Sequence, residues 1–395
     1  MRSPLDFTAV RYMHEQLPKM ERLLASLVNL NSGSSHIEGI DRNLAICQAE
    51  LESLGFACAQ HRAEDGRHHL VLQRGTAGPA FMLVGHLDTV YERGHEFQSY
   101  RREGDTMHGP GVADMKGGVV VALYVARYLV ESGLGDRCRL TLLLNSDEEI
   151  SSPTSSALIQ REALGHDASL IFESARPDGT IVSARKGVAK FTVRVHGVPA
   201  HAGLAHAEGR SAIVELARLI LAFEALTDYD RDLSLNVGIV SGGEKLNVIP
   251  AYAEARVDMR FSDNRVADEA IERMRALAAA LPHRDVRAAI EGGVVRPAWP
   301  RELDSTLALV ARWRNAAHAL GFQLEAKPTG GGSDGNLTAS VGVPTLDGLG
   351  PIGGNLHSSA EWAHYPSLAD RAALTAYALE TWIAELDGAS AETRR

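Results

Sequence analysis

Five side chains in this sequence have the chemistry of a metal centre: His86, Asp114, Glu149, Glu173 and His357. They stand in GHLDT, GVADMKGG, NSDEEIS, IFESA and GNLHSS, where the chain passes from strand to loop or from loop to helix. Two imidazoles and three carboxylates suit two zinc ions that share one bridging carboxylate. The charges also balance, because two zinc ions offset Asp114, Glu149, Glu173 and one hydroxide. Magnesium would make less use of imidazole, whereas cobalt or manganese would accept the same donors.

Each motif alone has a plainer reading. His86 and Asp88 lie two apart on one face of a strand end, as a histidine satisfied near a sheet edge would. Asp147, Glu148 and Glu149 describe a solvated acidic turn equally well, and Asp114 can simply cap the helix after it. Taken together they say more. Like charges crowded at strand ends need a cation or a shared proton. A ligating imidazole needs its second nitrogen held, and Asp88 is placed to hold His86. Glu148 and Glu149 point different ways, so one can ligate while the other faces a bound water.

These residues can meet only if the surrounding elements form one sheet domain. AFMLVGH, RLTLLLN and ASLIFE are continuous apolar runs, the pattern of strands buried on both faces. They alternate with the helical patterns LPKMERLLASLVNL, NLAICQAELESLG and GGVVVALYVARYLVESG, which marks an α/β domain with a mixed, largely parallel sheet. Strand ends of such a sheet face the crevice where ligands bind.

Near Lys186 the texture changes. KFTVRVH and YAEARVDMRF alternate strictly, placing Phe191, Val193, Val195, Val257, Met259 and Phe261 on buried faces and charged residues opposite. The helices GRSAIVELARLILAFEAL and ADEAIERMRALAAAL interleave with these strands and with SLNVGIVS and DVRAAIEG. That order is ferredoxin-like. After Pro297 the α/β texture returns with the helix ELDSTLALVARWRNAAHALG, the loop GGGSDGN, the strand VPTLDGL and the loop GPIGGNLHSS. The helix SLADRAALTAYALETWIAEL closes the domain, with Ser367 as its expected N-cap. Residues 1–186 and 297–395 are therefore expected to form one α/β body, with 187–296 an inserted ferredoxin-like α+β domain. Gly331 and Gly332 are expected to line the pocket with backbone groups.

Composition removes other classes. A net charge of −10 argues against nucleic acid, which needs a basic face. The opening MRSPLDFTAVRYMHEQLPK has no apolar core of a leader. The longest apolar stretches, such as VVVALYVA, fall far short of the roughly 18 residues of a membrane span. A cytoplasmic chain without membrane association is expected. Cys47, Cys58 and Cys138 are odd in number and lack CxxC spacing, so reduced, buried thiols are expected.

In order and spacing, GHLDTVYERG, GPGVADMKGGVVVAL, NSDEEISS, IFESA, GVPAHAG and GGGSDG…LGPIGGNLHSS resemble glutamate carboxypeptidase of the carboxypeptidase G type. More broadly they resemble the co-catalytic zinc peptidases that include acetylornithine deacetylase, succinyl-diaminopimelate desuccinylase and the aminoacylases. The resemblance implies that Asp114 bridges two zinc ions, that His86 and Glu173 complete one, and that Glu149 and His357 complete the other. It implies that Glu148 is the general base, that Asp88 orients His86, and that the peptide after Asp114 is cis. Met115 follows here, where some relatives carry a second aspartate. It further implies that the insert is a lid through which two chains form a homodimer, and that His201 donates to the oxyanion in the partner subunit's site. Asn247 and Arg260 match positions that contact the substrate's terminal carboxylate, which a guanidinium can grip through two hydrogen bonds.

The function so implied is release of a C-terminal amino acid, glutamate or a similar acidic residue, from an amide or peptide by attack of a bridging hydroxide. The nearest competitor is an N-acyl amino acid deacylase of the acetylornithine or succinyl-diaminopimelate type. An aminohydrolase acting on an aromatic amine would use the same ions. A non-catalytic binding protein would show a damaged metal set, and none of the seven positions is missing.

Overall fold

In a computed structural model of the chain, which describes residues 8–301 and 303–392, the three apolar runs are the strands Ala80–His86, Arg139–Asn145 and Ala168–Ile171. Residues 1–7 and Glu302, on which the reading of the leader and the start of one helix partly rest, lie outside the described residues. Side chains of these strands alternate between two cores rather than between core and water. Phe81, Leu83, Leu142, Leu144 and Leu170 join one core, with residues of the helices Thr8–Val28, Lys116–Glu131 and Tyr365–Glu392. Met82, Val84, Leu143 and Ile171 join another, with Leu158, Ile159, Ala163 and Leu337. Two covered faces explain why these strands carry no polar alternation.

The fold is mixed α/β. One sheet runs in the order Ala57–Arg62, His68–Arg74, Arg139–Asn145, Ala80–His86, Ala168–Ile171, Thr345–Leu346. The last four strands are mutually parallel. The first two form an antiparallel hairpin at its edge, which the sequence reading did not anticipate. A second, small antiparallel sheet joins Gly353–Gly354, Trp362–His364, Thr106–His108 and Arg101–Glu103. The closing helix begins at Tyr365, so Ser367 is not its N-cap. Its buried hydroxyl instead accepts from the Ile352 N–H and donates to the His364 carbonyl.

The chain divides into two compact units. One, which holds the sheets above, runs to Ala184 and includes the segment ending at Pro328 and the chain from Ser333. The other comprises Arg185–Arg301 with Thr329–Gly332. Its strands Gly187–His196, Ser234–Gly242, Tyr252–Phe261 and Arg287–Arg296 form a wholly antiparallel sheet. The helices Ala212–Glu224 and Asn264–Ala279 supply Leu216, Leu219, Ile271 and Met274 to a core with Phe191, Val193, Val257 and Phe261. Ser211 and Asp263 cap them, accepting from the N–H groups of Val214 and Arg265. The opposite face of the sheet carries the ion pairs of Arg194 with Glu254 and Glu291. The ends of this unit meet, since Arg185 and Trp299 exchange two backbone hydrogen bonds.

Among the described residues no helix is long and apolar enough to cross a membrane. The three cysteines are free; Cys47 and Cys138 are buried, while Cys58 is only half-buried.

Candidate metal centre

Parallel register gathers the chemistry at one end of the sheet. His86 closes its strand opposite Asn145, and Val84 lies opposite Ile171. Glu148, Glu149 and Glu173 follow those neighbouring strand ends within a few residues. Asp114 is brought alongside by the start of the helix Lys116–Glu131. That approach needs glycine at position 118, because a Cβ there would lie 1.7 Å from the Phe172 carbonyl oxygen. The Asp114–Met115 peptide is cis. His357 arrives from the loop after Gly353–Gly354, with a left-handed φ of 60°.

Asp114 stands between the two imidazoles. Its Oδ1 lies 3.2 Å from Nε2 of His86, and its Oδ2 lies 3.2 Å from Nε2 of His357. Each imidazole has a further carboxylate: Glu173 Oε1 at 3.6 Å from His86, and Glu149 Oε2 at 3.2 Å from His357. Glu148 is half-buried, and one of its oxygens lies within 4.8 Å of donor atoms of His86 and Glu173. All five ligand candidates and Glu148 are thus together.

Electrostatics mark the cluster as short of positive charge. Burial and the charge of Asp114 push Glu149 up to about 8, and push Glu173 well above the usual carboxylate range. Burial opposes the charged form of His86, but hydrogen bonds to Asp114 and Asp88 carry it well above an ordinary histidine. Hydrogen bonds to Asp114 and Glu149 raise His357 to about 11. Burial raises Asp114, yet the two imidazoles outweigh it and hold Asp114 low. Nitrogen and oxygen donors converging at these distances, with no sulfur among them, fit borderline divalent cations.

Asp88 has a wider role than the expected one. His86 Nδ1 donates to the backbone carbonyl of Asp88 at 2.9 Å, while the nearer carboxylate oxygen is 3.4 Å away. The buried carboxylate also accepts from the N–H groups of Glu148 and Glu149, both at 3.1 Å, and from the Ser34 hydroxyl at 2.8 Å. One aspartate therefore fixes the imidazole through its main chain and both glutamates through its side chain. Beneath them, Asp147 accepts from Thr154 and Ser155, closing the acidic turn.

Sequence reasoning missed Glu361. It is fully buried, and its carboxylate accepts from the N–H groups of Gly111, Ala113 and Asp114 and from the Tyr91 hydroxyl. Burial and the charge of Asp114 push it up to about 7. Nothing in the spacing of AEWAH singles it out as more than an acid next to an apolar strand.

The other candidate residues belong to the second unit. His201 is exposed, and its Nδ1 accepts from the N–H groups of Gly203 and Leu204, both at 3.1 Å. Asn247 is exposed, with its carbonyl accepting from Ala202 N–H. Arg260 is half-buried and engages both carboxylate oxygens of Asp258, at 2.7 and 3.0 Å. Gly331 is exposed and its carbonyl accepts from Arg185, while Gly332 is half-buried.

Residues 82–381 match the model of peptidase family M20/M25/M40. Carboxypeptidase G2 of Pseudomonas sp. (strain RS-16) is 33% identical over 357 residues, covering 87% of this chain and 84% of that protein. Succinyl-diaminopimelate desuccinylase of Gluconacetobacter diazotrophicus is 27% identical over 355 residues, covering 84% and 89%. Among solved structures, aminopeptidase PepT of Bacillus cereus superposes with a TM-score of 0.77 at 21% identity, covering 93% of this chain and 99% of that one.

Proposed function

The chain belongs to peptidase family M20/M25/M40, and from that membership we propose that it is a two-zinc amidohydrolase that frees a C-terminal amino acid, glutamate or another acidic residue, from an N-acyl, N-aroyl or dipeptide substrate. The coarser activity, metal-dependent hydrolysis of amide bonds, comes with the family. The observation that supports the two-ion part of this reading is the stance of Asp114, which turns one oxygen to His86 and the other to His357. His86 and Glu173 would hold one ion, Glu149 and His357 the other, with Asp114 shared. Ions so held supply an acidified water and a polarised substrate carbonyl.

The remaining work falls to the chain's own groups. Glu148 takes a proton as the water oxygen bonds to the amide carbon, then returns it to the nitrogen as the C–N bond breaks. Asp88 keeps that base in place through the Glu148 N–H. His201 accepts at Nδ1, so its proton sits on Nε2, where it can donate to the developing oxyanion. In this proposal the working form is a homodimer, and His201 serves the partner's site. Asn247 and Arg260 receive the substrate's terminal carboxylate, for which Arg260 must release Asp258. Gly331 and Gly332 offer backbone groups to the pocket, and the enzyme acts in the cytoplasm.

A second reading, N-acyl amino acid deacylation, is favoured by the likeness to the desuccinylase. The zinc-loaded chain should be offered N-benzoyl-glutamate, acetylornithine and succinyl-diaminopimelate, with metal content measured on the same preparation. Fastest release of glutamate from the first supports the proposal. Preference for either of the others selects deacylation, and release of no amino acid from any N-acyl amino acid or dipeptide ends both.

A further inference from the structure

The loop that carries Asp114 has little regular structure of its own. Between the strand Thr106–His108 and the helix Lys116–Glu131, residues 109–115 run as turns through the interior, where backbone N–H groups need partners. Three of those N–H groups find one carboxylate. Oε1 of Glu361 accepts from Ala113 at 2.9 Å and from Asp114 at 3.1 Å, and Oε2 accepts from Gly111 at 3.3 Å. Tyr91 supplies a fourth donor, its hydroxyl lying 2.9 Å from Oε2 and 2.8 Å from the Ser358 carbonyl. Glu361 is itself tied down, because it immediately precedes Trp362–His364, the strand that pairs with Thr106–His108.

The same bonds reach the other side of the cluster. Ser358 follows His357, and the Glu361 N–H donates to the Ser358 carbonyl at 3.0 Å. One buried carboxylate thus joins the backbone of Asp114 to the loop that delivers His357. We infer that Glu361 is a positioning residue of the metal centre, fixing the Asp114 main chain so that its carboxylate stands between His86 and His357. The inference rests on the metal-centre reading above but adds a residue that is neither ligand nor base. The group it serves is a divalent cation, and the effect runs through the backbone of residues 111–114.

Glu361→Gln tests it. The amide keeps the volume and can still accept from Ala113 and Asp114, but its NH2 faces the Gly111 N–H, where an acceptor is needed. Zinc affinity of metal-free wild type and variant should be measured by competition with a chromophoric chelator, alongside circular dichroism and thermal unfolding of the metal-free chains. Expected is a folded variant with a metal-free melting temperature near that of wild type and a zinc affinity weakened by about 10–100-fold, the usual cost of a lost outer-shell partner. A variant that binds zinc as tightly as wild type overturns the inference, and so does one that loses only melting temperature. Glu361→Leu leaves three N–H groups without an acceptor and should weaken zinc further; if it does not fold, the Gln variant alone decides. Wild-type chain that takes up no zinc would sink the metal-centre reading and this inference with it, whereas equal binding by both chains sinks the inference alone.

Discussion

Glu148 and Glu149 are chain neighbours proposed for different work, yet their main chains share one anchor. Both N–H groups donate to Asp88, so the short turn that begins at Glu148 is held against the strand carrying His86. Replacing Glu148 by Gln removes the proposed base but none of these bonds. Turnover should fall by about 10²–10⁴-fold while zinc content stays at the wild-type level; unimpaired turnover would remove Glu148 from the mechanism. The shifted groups give a second prediction. In the metal-free chain His357 is raised to about 11, Glu149 to about 8 and His86 well above its ordinary value, so all three favour the protonated form at neutral pH. Zinc must displace those protons, so its affinity should rise with pH through neutrality, with protons released on binding. Calorimetric titration in two buffers of different ionisation enthalpy measures the release, and a heat independent of buffer would contradict it. At this scale the clustering of the candidate ligands was legible because each member tips or follows an apolar run. Glu361 was not, because its role lies in accepting backbone donors distant in sequence, which no spacing encodes.

Elements deliver these residues by close approach. Gly118 lets the start of a helix touch the end of a strand, and a methyl group there meets a carbonyl oxygen rather than a flexible side chain. Gly118→Ala should therefore cost about 1–3 kcal/mol or more, in the manner of an overpacked core, and should depress zinc affinity by moving Asp114; chemical denaturation and zinc titration read the two effects. Arg371 acts on another approach. Fully inside the closing helix, it donates to the carbonyls of Gly348, Gly350 and Gly179. Arg371→Met should cost about 1–3 kcal/mol for each carbonyl left without a donor, seen as a lowered melting temperature. The long strands and helices were legible because periodicity runs through them. The edge hairpin, ACAQHR with HHLVLQR, mixes polar and apolar residues too irregularly to read. The strands of two or three residues in the small sheet carry no period at all. Ser367 misled for a different reason: a hydroxyl that bonds two backbone groups inside a first turn looks, in sequence, like a cap.

For the whole molecule, the proposed homodimer makes a sharp arithmetic prediction. If His201 serves the partner's site, Glu148→Gln and His201→Ala chains are each inactive alone, yet a mixed dimer holds one intact site. Equal mixtures, after subunit exchange, should recover about one quarter of wild-type activity, since half the dimers are mixed and each has one good site of two. No recovery, with exchange shown by mass, would place His201 outside the partner's chemistry. The antiparallel unit was legible at this scale because one open face imposes strict alternation, and its two helices fall where the ferredoxin-like order requires.

That unit is built from a nearly continuous stretch whose ends, Arg185 and Trp299, hydrogen-bond to each other. The sheet beside the cluster of candidate ligands is not continuous in this way, because Thr345–Leu346 must come back to pair with Ala168–Ile171. On the ribosome the order of completion is therefore reversed relative to the order of the chain. The insert can close while the surrounding body still waits for its last sheet strand, for His357 and for the closing helix. Helices of the first segment already cover part of both faces of its three buried strands, but Tyr365–Glu392 joins one core and Leu337 the other only at the end, so both cores stay incomplete until the chain is nearly finished.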